Sequence, residues 1–211
     1  MSTPLPPHWG WAHRLWHWLF VVAIGVSSYT GFVGDIDLMD WHVRSGVCVI
    51  GLLLFRLGWA CWGDPALRFR RYRTSAAAIW RQLRGRAGAR DAPHTAAGAA
   101  MSIALLAFVT IQAASGLFAS DDIAADGPYA RRVGAAGVDF ANAFHTRVYV
   151  IIWALVAIHV AAVAWYRWRR DPIAWSMGPA TASTAPRQHW LRAAVTAVAA
   201  VAIVWITARW A

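Results

Sequence analysis

Five long apolar runs separated by polar breaks organise this 211-residue chain: about Leu15–Val33, Val43–Trp62, Thr95–Phe118, Thr146–Tyr166 and Leu191–Trp210. Each is near the ~20 residues a helix needs to cross a hydrocarbon core. The pattern predicts an all-α transmembrane helical bundle, with a core of four helices in residues 1–172 and a fifth transmembrane helix in 191–211. Residues 173–190, rich in Pro, Ser, Thr and Ala, read as a cytoplasmic linker. The first run begins too far from a charged n-region, and lacks the small-residue cleavage site, to read as a signal peptide, and is expected to stay in the mature protein. Between the second and third runs, TSAAAIWRQLRGR predicts a short surface helix with its N-cap at Thr74 or Ser75. The longest outer loop, Ala119–Phe144, has a turn signal at Gly127–Pro128, and its VGAAGVDFANAF stretch predicts a partial helix.

Composition agrees: 59% of residues are hydrophobic, 14% are charged and the mean hydropathy is +0.41. All twenty basic residues are arginine and all ten acids are aspartate, giving a formal net charge of +10. That charge is sorted by loop. Residues 64–91 and 167–187 hold most of the arginines outside the spans, whereas the loop between the first two spans carries Asp35, Asp37 and Asp40 and no arginine. By the positive-inside rule this predicts a bacterial inner-membrane protein with a cytoplasmic N-terminus and a periplasmic C-terminus. The basic charge is thus a topology signal, with anionic membrane lipid and not nucleic acid as its partner. Many of the fifteen tryptophans fall near span ends, as an interfacial aromatic belt does. Cys48 and Cys61 lie too far apart on one helix to bridge each other. The absence of C-x-x-C-H excludes covalent c-type haem attachment.

The chemistry lies in the histidines. His145 and His159 are fourteen residues apart, nearly four turns, so they share a helix face about 20 Å apart along the axis. A histidine inside a membrane helix is costly unless paired or liganded. His42 opens the second span at the depth of His145, and His17 opens the first at the depth of His159. Two trans imidazole pairs between apolar helices, with no cysteine at hand for a zinc site, suit iron protoporphyrin held by bis-histidine ligation. Arg44 and Arg147 follow the outer ligands by two residues. Arg14 and Arg56 sit at the inner depth, and all four are candidate propionate partners, although Arg56 also reads as an arginine snorkelling to the headgroups. Gly46, one turn after His42, offers close approach to a porphyrin, as Gly31 and Gly116 do unless they only help helices pack. His13 competes with His17 but lies nearer the surface, and His8, His94 and His189 read as interfacial.

RLWHW opening the first span, WHVRSG opening the second with RLGW closing it, and H-x13-H on the fourth resemble the bacterial cytochrome b561 family, grouped with the b-type cytochrome subunits of nickel–iron hydrogenases. The resemblance covers residues 8–172. It implies two b haems, ligated by His17 with His159 and by His42 with His145, and electron exchange with quinone. It further implies a periplasmic partner such as a c-type cytochrome or a hydrogenase-type subunit. Two other readings stay open: an enzyme coupling superoxide oxidation to quinone reduction, and a haem-free anchoring or assembly subunit whose histidines only cross-link helices.

Overall fold

The computed structural model describes residues 9–64, 67–85, 95–123, 125–171 and 190–209, and among these the regular structure is helical, with one isolated bridge besides. The helices are α1 (Trp11–Val33), α2 (Ile36–Trp62), α3 (Ala76–Leu83), α4 (Ala96–Gly116), α5 (Ala135–Trp168) and α6 (Trp190–Arg209). Short 3-10 turns lie at Phe69–Tyr72 and Ala130–Arg132. By length and composition α1, α2, α4 and α5 are long and apolar enough to cross a membrane, and the apolar stretch of α6, Trp190–Ile206, is shorter. His8, His94, His189 and nearly all of the expected linker lie outside the described residues.

Helix ends run past the hydropathy boundaries because backbone hydrogen bonding continues into the polar interface. The second helix starts at Ile36, with Asp35 as its N-cap accepting from the Asp37 amide at 3.0 Å. Carboxylates at a helix N-terminus complement its dipole, so this acidic stretch continues the helix. Gly34 ends α1 in the left-handed conformation at φ 64°, which a Cβ would disfavour, so α1 and α2 form a tight hairpin. The expected partial helix after the outer loop is continuous with the fourth span: α5 begins at Ala135 and runs 34 residues. At 1.5 Å per residue it is about 51 Å long, well beyond the ~30 Å core, so its first turns stand out at the end of the bundle that the arginine pattern predicts to be the outer one.

The bundle is two antiparallel hairpins, α1–α2 and α4–α5, joined along α2 and α4. The backbones of α1 and α5 stand apart and are bridged near the outer end, where Phe32 meets the rings of Tyr149 at 5.6 Å and Trp153 at 6.3 Å. At the inner end, Trp9, His13, Trp16 and Phe20 stack along α1, and the Trp16 indole donates to the Leu52 carbonyl at 2.8 Å. The short surface helix forms as expected. Its N-cap is Ser75, which accepts from the Ala78 amide, and Gln82 ties it to the Ala97 amide and the Tyr166 hydroxyl.

Between α4 and α5 the chain makes an ordered turn. Ser120 bridges Asp126, and Asn142 clamps the Ser120 backbone from both sides at 3.1 and 2.9 Å. Gly127 donates to the Ala119 carbonyl at 2.7 Å, and a Cβ there would collide with the Gly116 carbonyl oxygen.

The expected fifth helix lies antiparallel on α2. Ala193, Thr196 and Ala200 are buried, the Trp62 indole donates to Thr196 Oγ1 at 2.9 Å, and Val204 reaches Gly51. Close approach is set by Gly58, where a Cβ would sit 2.8 Å from the Thr196 methyl. Gly58→Leu is therefore expected to cost about 1–3 kcal/mol through overpacking. Gly25→Leu, with open space over its Cα, should leave thermal unfolding in detergent nearly unchanged. Equal melting of the two variants would show that α6 does not pack here.

The outer turn carries a pH dependence. The Ser120 hydroxyl donates to Asp126 at 2.7 Å and Arg131 Nε at 3.1 Å, and these hold the carboxyl below its ordinary value of 3.8, with Ser120 the larger cause. A depressed carboxyl stabilises the turn above its ordinary pKa, and that contribution is lost as pH falls through the folded value. Amide exchange at Ala125 and Gly127 should therefore speed up under acid in the wild type. In Asp126→Asn it should already be fast at neutral pH.

Candidate functional site

His42, in the second turn of α2, and His145, on α5, face each other across the outer end. Their ring centroids are 5.9 Å apart and the ring planes cross at 86°. Each imidazole is held the same way. His42 Nδ1 donates to the Ser27 carbonyl at 2.8 Å, with Thr30 Oγ1 at 3.4 Å and Gly31 packed against the ring. His145 Nδ1 donates to the Gln112 carbonyl at 3.0 Å, with Ser115 Oγ at 3.4 Å and Gly116 packed against the ring. Counted from the glycine, the accepting carbonyl is at −4 and the hydroxyl at −1 in both halves. The hydroxyl shares that carbonyl, since Thr30 donates to Ser27 O at 3.1 Å and Ser115 to Gln112 O at 2.9 Å. A Cβ on Gly31 would lie 2.9 Å from His42 Cε1, and one on Gly116 would lie 2.8 Å from His145 Cε1. Glycine at these two positions serves contact with the imidazole of the neighbouring helix, where the sequence predicts a porphyrin plane or helix packing.

An imidazole whose Nδ1–H is spent on a carbonyl keeps Nε2 as its lone-pair nitrogen, the tautomer a metal-ligating histidine needs. Neither Nε2 has a hydrogen-bond partner among the described residues. Two rings at this separation have room for one metal ion at bonds of about 2 Å to each side. Around them lies a cavity of about 730 Å³, within the range of small-molecule and cofactor sites. Gly46 lines it with open space over its Cα, on the α2 face that also carries His42. The donor set, the tautomer and the volume all fit a planar, largely apolar iron macrocycle.

The structure brings His17 and His159 together as well. Both are half-buried and they lie on facing helices, within electrostatic range but with no direct contact across the gap between α1 and α5. His17 Nδ1 is buried without a hydrogen-bond partner. His13, the competing candidate, is instead 4% exposed in the aromatic stack between Trp9 and Trp16. Arg14 is half-buried, one turn before His17.

Arg56 is only 2% exposed and does not snorkel. Just past α2 the chain folds back so that Leu67 is fully buried, and protein, not headgroup, covers the helix end. Arg56 Nη2 donates to the Leu67 carbonyl at 3.3 Å and the Tyr72 hydroxyl at 2.9 Å, and its guanidinium lies over Trp16, Phe69 and Tyr72. Burial raises the Tyr72 phenol above its ordinary pKa, which keeps it protonated, while Arg56 acts in the opposite direction. Arg56 Nη1 and the Nε of neighbouring Arg68 are buried donors with no acceptor, as a site for an anionic group requires.

Arg44 and Arg147 are not brought to the outer cavity. Both are exposed: Arg44 pairs with Asp40 at 3.4 Å, and Arg147 donates to the Ala143 carbonyl at 3.1 Å. Two residues is a rotation of about 200° around a helix, so they share the depth of His42 and His145 but not their face. Sequence reasoning missed Ser27, Thr30, Gln112, Ser115, Arg68 and Tyr72. The one sign of the first four was the repetition of a hydroxyl residue before glycine, in YTGF and ASGLF.

No curated protein and no solved structure matches the chain. A family model described as prokaryotic cytochrome b561 matches residues 8–180, which include α1 to α5 and all four facing histidines. The chain therefore belongs to the prokaryotic cytochrome b561 family, the b-type membrane cytochromes of electron transfer.

Proposed function

We propose that this protein carries two b haems and moves electrons across the bacterial inner membrane between the quinone pool and a periplasmic redox partner, a c-type cytochrome or a hydrogenase-type subunit. The observation that carries this reading is the outer pair: two imidazoles 5.9 Å apart, each locked with Nε2 free, over a cavity of about 730 Å³. His42 and His145 hold the outer haem, and His17 and His159 the inner one. Along α5 the two ligand positions are about 20 Å apart, so the pairs occupy opposite leaflets. The arginine distribution assigns residues 64–91 and the N-terminus to the cytoplasm, with the C-terminus outside.

When bound, haem supplies a reversible one-electron couple; the protein supplies ligands, orientation and a dry surrounding. At the outer site the shared carbonyls fix both ring tautomers, Gly31 and Gly116 admit the two rings, and Gly46, with open space over its Cα, leaves room for the macrocycle. At the inner site Arg14, Arg56 and Arg68 are the propionate partners. The donors without acceptors on Arg56 and Arg68 support this assignment.

An absorbance spectrum of the purified protein should show reduced b-type bands at two haems per chain. His145→Ala is expected to remove one haem and keep the other, with the fold intact by circular dichroism. A protein with no Soret band, or a variant that loses both haems or neither, would count against two separate pairs.

For Arg56, a charge-assisted contact with a propionate predicts that Arg56→Gln shifts the potential of the inner haem and weakens its retention. A redox titration with both potentials unchanged and full haem content would leave Arg56 only its role of tying Leu67 and Tyr72 over the helix end.

A further inference from the structure

The two outer histidines are held alike by a carbonyl and a neighbouring hydroxyl, but only His145 is also held by a side-chain amide. On the α1 side the accepting carbonyl belongs to Ser27, whose hydroxyl makes no bond to His42 among the described residues. Its counterpart on α4 is Gln112, whose amide Nε2 donates to the His145 carbonyl at 2.9 Å and lies 3.2 Å from His145 Nδ1. His145 in turn donates to the Gln112 carbonyl at 3.0 Å. Gln112 and His145 therefore grip each other reciprocally.

Stability does not explain this amide. It lies within a membrane-spanning helix, and its Oε1 is buried without a donor, a cost that an apolar side chain of the same length would avoid. The His145 carbonyl it serves lies inside α5, where the helix already gives it a partner. What the amide adds is orientation, because it fixes how α4 and α5 meet at the His145 ring, one of the two that line the cavity. It also aims the positive end of an N–H dipole at the His145 ring.

We infer that Gln112 is a positioning residue for the outer haem, which it tunes through His145. The inference rests on the two-haem reading above. An N–H dipole directed at an axial imidazole disfavours the added positive charge of the ferric state, so Gln112 raises the outer potential relative to an apolar residue at this place.

The test is a redox titration of Gln112→Leu and Gln112→Met beside wild type, with haem content, melting temperature and the low-spin ferric resonance signal measured on the same samples. Ser27→Ala is the control from the matching position. Both Gln112 variants should fold with undiminished thermal stability. Their outer potential should fall by the equivalent of about a tenfold change in the relative stability of the two oxidation states, about 59 mV for a one-electron couple. The ferric signal of that haem should change, and the inner haem and Ser27→Ala should match wild type. Two retained haems with an unchanged or raised outer potential would overturn the inference and leave the two-haem reading standing. Wild-type protein without two haems would remove that reading first, before any variant is compared.

Discussion

A buried imidazole must place its N–H somewhere, and in this bundle that requirement orders everything around it. Each outer histidine spends its Nδ1–H on a helix carbonyl that a neighbouring hydroxyl also uses. A helix carbonyl can take a second donor only if the intruding ring comes very close to the backbone. Glycine at +4 from that carbonyl is what permits it. From this follow the contact of α1 with α2, the contact of α4 with α5, and the direction left to each Nε2. The hairpins are thus joined to the site by backbone, and backbone is the part of a protein least altered by substitution.

This arrangement exposes an approximate repeat. His42 follows Gly31 and His145 follows Gly116 on the next long helix of each hairpin, with a carbonyl and a hydroxyl at identical offsets from the glycine. Extending the register inward shows where the repeat breaks. Fourteen residues after His145 comes His159, but fourteen after His42 comes Arg56; fourteen before Gly31 comes His17, but fourteen before Gly116 comes Ser102. The inner pair therefore uses one helix from each hairpin, α1 and α5, and the two remaining positions are free for other work. Arg56 uses its position to hold the returning chain through Leu67 and Tyr72.

Depth was legible in the sequence because hydropathy and a fourteen-residue spacing both report it. Position around a helix was legible only where two residues share a helix, as His145 and His159 do. Arg44 and Arg147 show the gap: they match their histidines in depth, yet the helical twist turns them to the surface. Ser27 and Gln112 could not be read at all in their main role, since they act through carbonyls and every residue has one. The reach of α5 past its apolar run was also hidden, because a helix outside the membrane needs no apolar signature. Arg56 looked like a residue at a lipid surface because nothing in the run from Gly63 to Tyr72 announces that it folds back over the helix end.

The sixth helix lies beyond the residues that define the family, yet it is fitted to the bundle by Gly51 and Gly58 on α2. Glycine-bearing faces are where membrane helices ordinarily meet a neighbour. Here the chain supplies its own neighbour, through Thr196 and the alanines on either side. That side of α2 is closed by α6, so any subunit joining there meets α6 in place of α2, or comes to the bundle from another side.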